Sequence, residues 1–424
     1  MTDMSENPAP SNIMRFVKAN IRDYALLLSL LLIMAFFQIA TSAAIKDLSL
    51  LDTLWVLFTD FLSVVQQGVL FKPVNMTNLI LQNSYIVIMA LGMLLIIIAG
   101  HIDLSVGSVS GFVGSVAAIM MVPWKMDPFV TMALCLALGG AIGGIQGYFV
   151  AYHKIPAFIV TLAGMLIFKG LALTVLGGAS VGPFPKSFQL LSSGFVPDIF
   201  GISLFGGPFN LLALLIGGIV TALIIYFNLK ERHEQQAHGL AEEPDMIFLT
   251  RNGLIAVAFL GFTFLMARYK GLPNVLIVMF ALIALFVFLT TRTTFGRRVY
   301  AMGGNEKAAK LSGINTEKMT FFIFIIMGAL AALAGLIFAA RLNVATPKAG
   351  AGFELEVIAA CFIGGAAVTG GVGKIIGAVI GAFIIGVMNN GMSIMGVGID
   401  WQQVIKGTVL MLAVFLDVYY KNKA

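Results

Sequence analysis

Residues 78–99, NLILQNSYIVIMALGMLLIIIA, contain neither a charged side chain nor a proline. A helix over this run is long enough to cross roughly 30 Å of hydrocarbon at about 1.5 Å of rise per residue. Comparable runs recur along the 424 residues of a chain that is 59% hydrophobic and 11% charged, with a mean hydropathy of +0.98. Soluble domains carry about a quarter charged residues. The composition is therefore that of a membrane protein, and the recurrence of the runs excludes a single anchor.

Working outward from 78–99, further spans are expected at 24–45, 104–122, 129–151, 156–176, 208–228, 252–267, 272–290, 321–340, 355–372, 375–395 and 401–418. The expected fold is an all-α polytopic membrane protein of about 10–12 transmembrane helices. Glycines in 104–122 and 355–395 mark broken or re-entrant helices that line a cavity rather than cross cleanly. Most of the 26 Lys and Arg residues, among them Arg15, Lys18, Arg22, Arg292, Arg297, Arg298, Lys307 and Lys310, fall in segments that become cytoplasmic if the N-terminus is inside. That asymmetry places both termini in the cytoplasm. The domain organisation that follows is a tail at 1–23, one transmembrane domain at 24–418 and a tail at 419–424. Basic residues facing an anionic inner leaflet account for the net charge of +6 without nucleic acid.

The run from Tyr24 to Ile45 exceeds the length of a signal-peptide core and reads as an uncleaved first helix. Between the spans, residues 46–77 contain LDTLWVLFTDFLSVV, read as a helix lying on the outer membrane surface or as a short extra span. Residues 177–207, rich in Gly, Pro and Ser, form the main external loop. Residues 230–251 form a charged cytoplasmic linker whose His233 and His238 do not share a helix face, so a solvated linker is preferred to a metal site. Cys135 and Cys361 lie far apart inside apolar spans and suggest neither a disulfide framework nor a metal site.

Chemistry-bearing motifs are scarce. The stretch TGGVGKII, 369–376, has Val368 and Ile375 where a P-loop requires Gly and Ser or Thr, so its glycines are read as allowing close helix packing. No HExxH pair or Cys/His cluster is present, which leaves an intramembrane enzyme without an evident catalytic pair. An ion-coupled secondary transporter would place carboxylates or His in mid-membrane. Here Asp103, Glu354 and Glu356 fall at the ends of the expected spans, and Asp417 near the last. The pattern favours a pore driven by another subunit.

The place to look for that connection is GRRVYAMGGNEKAAKLSGI, residues 296–314, within the cytoplasmic segment 291–320. Arg297 and Arg298 sit at the surface, and Gly303 and Gly304 permit a sharp turn. Asn305 is a good N-cap, Glu306 complements the positive helix end and Gly313 is placed as a stop. Between them EKAAKLS gives about two turns, with Ala308 and Ala309 as a small smooth surface and Leu311 as an apolar contact. So short a helix is marginal alone and gains if it is buried on a partner protein; an ordinary polar loop is the alternative.

GRRVYAMGGNEKAAKLSGI resembles the cytoplasmic coupling loop of bacterial sugar ABC-importer permeases of the ribose, xylose and galactose type. HIDLSVGS at 101–108 is similar to the GIDLSVGS motif of that family, and KIPAFIVTLAGMLIFKG at 154–170 and ELEVIAACFIGGAAVTGGVG at 354–373 extend the likeness in the family's order. The xylose or multiple-monosaccharide branch is the nearest. His101 stands where the family usually has Gly, and Gln146 where Asn is common.

The resemblance implies an inner-membrane, multi-pass permease that pairs with a second copy of itself, a cytoplasmic ATP-binding subunit and a periplasmic sugar-binding protein. ATP and Mg would be bound by the partner ATPase, with no cofactor, metal or enzymatic activity in this chain. Asn305, Glu306, Ala308, Ala309 and Gly313, supported by Arg297 and Arg298, would couple to the ATPase. In IDLSVGS, Asp103 is expected to cap a helix beginning near Leu104, with Ser105 and Gly107 giving a tight entry; direct sugar contact is the alternative. The amides Gln82, Asn83, Asn389 and Asn390 are candidates for the translocation path or for interhelical pairing. A branched-chain amino acid permease is a related alternative, and the identity of the sugar is expected to be set by the binding protein.

Overall fold

The computed structural model describes residues 12–45, 48–204, 207–237 and 244–421; residues 1–11, His238 and the last three residues of the C-terminal tail lie outside the described residues. Among the described residues the elements are all helices apart from one small hairpin of strands β1 (Ile202–Leu204) and β2 (Gly207–Phe209). Contacts divide it into two compact units.

The smaller unit takes in Val196–Leu272 and the chain up to Leu28. Besides the hairpin it contains two long helices, numbered α9 and α10 in chain order, Leu211–Ala237 and Asp245–Ala267. Both extend well into the expected linker 230–251, so its described residues lie mostly in the ends of two helices. Gly217 lets them approach, since a Cβ there would lie 2.3 Å from Thr263 Cγ2. Arg232 pairs with Asp245 and lies over the Phe248 ring at 4.2 Å, while Asn228 donates to Asn252 Oδ1 at 2.8 Å.

The larger unit covers Ser29–Phe195 and Pro273–Ala424. In chain order its first elements are α1 (Asn12–Ala40, which begins in the smaller unit), α2 (Leu50–Thr59), α3 (Phe61–Gln67), α4 (Pro73–Ile98), α5 (Val106–Met121), α6 (Pro128–Ala151), α7 (Ala157–Leu176) and α8 (Lys186–Ser193). After the smaller unit come α11 (Asn274–Arg292), α12 (Thr294–Gly304), α13 (Glu306–Leu311), α14 (Thr316–Leu342), α15 (Phe353–Ile363), α16 (Ile375–Ile394) and α17 (Ile399–Lys421). Eight of the described helices, α4, α6, α7, α9, α10, α11, α14 and α16, are long and apolar enough to cross a membrane. Residues 46–77 hold two short helices, neither of which is long enough to span. The external loop carries α8 against α14 and α11.

The run that began the sequence reading is the core of the larger unit. A helix apolar on every side has to be surrounded by protein or by lipid. For α4 the surroundings are protein: from Ile86 to Ile98 nearly every side chain is buried. The faces of α6 and α7 that carry Leu134, Ile145, Leu166 and Ile167 are instead apolar and exposed. Packing between α6 and α14 relies on small residues: Cβ atoms at Gly143 and Gly328 would fall 2.1 and 2.2 Å from the facing carbonyls of Phe324 and Gly139. Within a bilayer such close backbone approach is a main source of helix association.

The expected span at 355–372 is corrected by the structure. The helix there stops at Ile363, because Gly364 closes it and Gly365 takes a left-handed φ of +88°, an ending that lets the next N–H groups satisfy the last carbonyls. The chain then loops to α16, so α15 is an 11-residue half-helix. Its N-terminal turn meets that of α5, another short helix of 16 residues: a Cβ at Gly107 would lie 2.3 Å from both Gly350 O and Glu354 Oε2. Two broken elements thus meet inside the bundle, the arrangement the glycines at 104–122 and 355–395 foreshadowed.

Candidate functional site

The segment 291–320 is built from three consecutive helix caps. Thr293 ends α11 and starts α12, its hydroxyl donating to Leu289 O at 2.6 Å and accepting from Gly296 N at 3.4 Å. Asn305, in extended conformation, accepts from Ala308 N at 3.0 Å and so caps α13. Asn315 repeats the device for α14, accepting from Lys318 N at 2.8 Å. Gly313, with φ +83°, follows the end of α13 as expected, its N–H donating to Lys310 O at 3.1 Å. Each cap satisfies an N–H that the helix leaves without a partner.

Gly303 and Gly304 do not form the expected turn. Both belong to α12, and the break comes one residue later at Asn305. Gly303 is there for proximity: a Cβ would lie 1.6 Å from Ile98 O at the end of α4 and 2.7 Å from Gly371 N. The same Ile98 carbonyl accepts from Gly371 N at 2.8 Å, and Tyr300 donates its hydroxyl proton to Gly373 O at 2.6 Å. The TGGVG loop, read from sequence as a packing element, therefore locks α12 to the end of α4.

A second tie runs through Lys154, the first residue of KIPAF. Its ammonium lies 3.9 Å from Glu306 and 3.4 Å from Glu317, and Glu317 also pairs with Lys310. The hydrogen bond to Glu317, and then its negative charge, raise the Lys310 ammonium above the ordinary lysine value. Sequence reasoning counted Lys154 only as one cytoplasmic cation, since the partners lie some 150 residues away; the turn that ends α6, with Lys154 at φ +57°, brings them together.

The outward face of this junction carries Arg297, Arg298, Glu306, Lys307, Ala308, Lys310 and Leu311. Leu311 is 91% exposed. Ala309 is corrected: it is 5% exposed and turned into the chain, because on so short a helix Ala308 and Ala309 point about 100° apart. A bulky residue at Ala309 would test internal packing, not docking.

The IDLSVGS stretch holds a buried polar chain. Asp103, 3% exposed, accepts at Oδ1 from Ser105 N at 2.8 Å and from Ser105 Oγ at 2.7 Å. Gln146 Nε2 donates to Ser105 Oγ at 2.9 Å, and Gly164 leaves room for that amide, since a Cβ there would meet it at 2.3 Å. The helix begins at Val106 rather than near Leu104, and its N-cap residue Ser105 makes no side-chain cap bond. Asp103 shapes the turn before the helix instead of capping it.

The four candidate path amides separate into two groups. Asn83 donates to Leu79 O at 2.6 Å within its own helix and packs on Gly386, where a Cβ would overlap it at 2.3 Å. Asn390 instead donates to Gln82 Oε1 at 3.2 Å, and Asn389 to Glu356 Oε1 at 3.2 Å. Glu356 also takes Lys406 Nζ at 2.6 Å, an ion pair that the sequence reading did not assemble because the residues lie on different helices. Among the described residues no group of three or more His, Cys, Asp or Glu is placed to hold a metal ion.

Comparison with known proteins gives the context. A family profile described as branched-chain amino acid transport system / permease component matches residues 75–414. The chain is 40% identical to the xylose transport system permease protein of Haemophilus influenzae over 405 residues, covering 95% of this chain and 98% of that one. It is 39% identical to the Escherichia coli protein of the same description over 365 residues, 86% of this chain and 90% of the relative. The ribose import permease protein of E. coli is 35% identical over 345 residues, 81% and 85% of the two chains. No solved structure matches the chain. With the family profile and the sugar-permease relatives each covering most of its length, the chain belongs to the permease family of bacterial ABC importers, in the branch that contains the xylose and ribose permeases.

Proposed function

We infer that this inner-membrane chain is the translocating subunit of a monosaccharide importer, with xylose the leading substrate, and that it works as a pair of copies with a cytoplasmic ATPase and a periplasmic sugar-binding protein. The substrate reading rests on the xylose permease relatives, which align along almost the whole chain. The single observation that carries the mechanism is the double tie of α13. Lys154 links it electrostatically to the α6–α7 turn, while α12 is pressed on the end of α4 and on the TGGVG loop between α15 and α16.

A push on Leu311 and the exposed face of α13 by an ATPase closing on ATP reaches both places. Through α12 it moves the end of the most buried helix and the base of a half-helix. Protein interiors are close-packed and resist compression, so displacement at one end is transmitted rather than absorbed. Hydrolysis belongs to the partner, which would hold ATP and Mg; the residues of TGGVGK that resemble a nucleotide loop are engaged in backbone packing within this chain. Alternating access follows from rearrangement of the helices, with no covalent step here.

The test is uptake of labelled xylose, arabinose, ribose and galactose into vesicles containing this chain, with and without ATPase and binding protein. Uptake that requires ATP and both partners supports the reading and names the sugar. Uptake by the chain alone under an ion gradient would replace it with a secondary transporter, and uptake of a branched-chain amino acid would change the cargo.

A further inference from the structure

We propose that Glu356, Lys406 and the amides Gln82, Asn389 and Asn390 form a hydroxyl-binding station for the transported sugar, set in the outer half of the membrane domain. The inference rests on the importer reading and adds the place where the cargo is held in passage. Depth follows from two independent helices. Asn389 lies fourteen residues beyond the cytoplasmic start of α16, about 21 Å along it, and Gln82 nine residues into α4 from its outer end, about 14 Å.

The hydrogen-bond inventory points to a missing partner. Glu356 Oε1 already accepts from Lys406 and Asn389, and Gln82 Oε1 from Asn390. Both Asn389 Oδ1 and Asn390 Oδ1 are buried and accept nothing, and Asn390 as a whole is 6% exposed. Buried acceptors without donors are rare, and each calls for an explanation. Sugar hydroxyls donate and accept at once; they can supply protons to the two amide oxygens and accept from the ammonium and the amide N–H groups.

Beside the polar groups lies a packed aromatic cluster. Tyr85, one turn on from Gln82, stacks on Phe353, three residues before Glu356, with ring centroids 4.3 Å apart. Aromatic side chains beside a few convergent polar groups are the usual composition of a small-ligand site. Ionisable side chains inside a membrane domain mark substrate pathways more often than packing.

A purely structural role has to be met. The Glu356–Lys406 pair could serve only to tie the half-helix α15 to α17. That accounts for one ion pair. It leaves unexplained the two unfilled amide oxygens on α16, whose side chains are shared between α15 on one side and α4 on the other.

The experiment uses the complete importer, permease with ATPase and binding protein, in proteoliposomes. Asn390→Leu removes a hydroxyl partner, and the double change Glu356→Gln with Lys406→Met removes the ion pair and the ammonium donor, each at nearly constant side-chain volume. The expected result is at least a tenfold fall in sugar taken up per ATP hydrolysed, with a changed order of preference among xylose, arabinose and ribose and a melting temperature within a few degrees of the parent. Parental uptake and preference in a well-folded variant would overturn the station.

Should these variants fail to assemble, Asn389→Cys decides. The native Cys135 and Cys361 are buried, so a membrane-impermeant methanethiosulfonate reports on the new thiol alone. Labelling during turnover that saturating sugar slows supports the proposal; no labelling, resting or turning over, refutes it. Failure of the importer reading would show separately, as a parent complex that moves none of the sugars.

Discussion

Replacing Gly303 by alanine adds one methyl group where the backbone of α12 touches α4. The new Cβ would sit 1.6 Å from Ile98 O, whereas real Cβ contacts essentially never fall below 3.0 Å. The contact must open by about 1.4 Å, and both nearest atoms are backbone, so no side chain can rotate away. Overpacking of this kind costs about 1–3 kcal/mol. Opening the contact also strains the Gly371 N–H to Ile98 O bond and the Tyr300 bond to Gly373 O, each contributing roughly 0.5–1.5 kcal/mol. A total of about 2–6 kcal/mol corresponds to more than a tenfold change in the population of the closed junction, at about 1.4 kcal/mol per factor of ten. Gly304 is the internal control: it has no heavy atom within 4 Å of its would-be Cβ and a negative φ, so Gly304→Ala is neutral or slightly stabilising. ATP-driven sugar uptake in proteoliposomes and the melting temperature of the purified complex are the assays. Gly303→Ala is expected to lose at least tenfold in uptake and several degrees in melting temperature, Gly304→Ala neither. Equal behaviour of the two neighbours would show that the contact does not transmit anything.

The exposed tip of α13 gives a second expectation: Leu311→Ser, at 91% exposure, leaves the melting temperature of the isolated permease unchanged while weakening co-purification of the ATPase at least tenfold, and unchanged co-purification would remove Leu311 from the docking surface. Lys154→Ala removes two half-exposed ion pairs, each worth about 0–1 kcal/mol; the expected signature is a small stability change but less sugar moved per ATP, an effect mimicked in the parent by raising ionic strength. Ser105→Ala breaks the chain from Gln146 to Asp103 and leaves buried polar groups short of partners at a cost of about 1–3 kcal/mol. Folded yield in detergent should drop while the order of sugar preference stays the same, and the reverse pattern would give Asp103 a direct role in cargo contact.

Capping chemistry was legible without coordinates because it is local. Asn305 and Gly313 could be assigned from residue type and spacing, and the structure places them as N-cap and terminating glycine. The half-helix α15 was legible only in part: the glycines of 355–395 pointed to a break, but the run from Leu355 to Val372 is as apolar as a true span, and the left-handed Gly365 that ends it is one glycine among many in that stretch. Ala309 was assigned to the wrong side because six helical residues are too few to set a phase. Glu356 stood out at a span end, but its pairing with Lys406 depends on how α15 and α17 meet, which hydropathy does not encode. Gly303 resembled a turn residue for the same reason: the partner backbone that forbids a side chain there comes from Ile98, 205 positions earlier in the chain.

The oxygen of Ile98 has a kinematic consequence. It is bonded to Gly371 and covered by Gly303, so three segments distant in sequence pivot on one atom and surrender their separate degrees of freedom. A lever with a shared fulcrum needs one input to drive two arms. The full-length helix α4 reaches the outer surface and the half-helix α15 ends inside the bundle, so a single tilt of the junction displaces the two by different amounts at different depths.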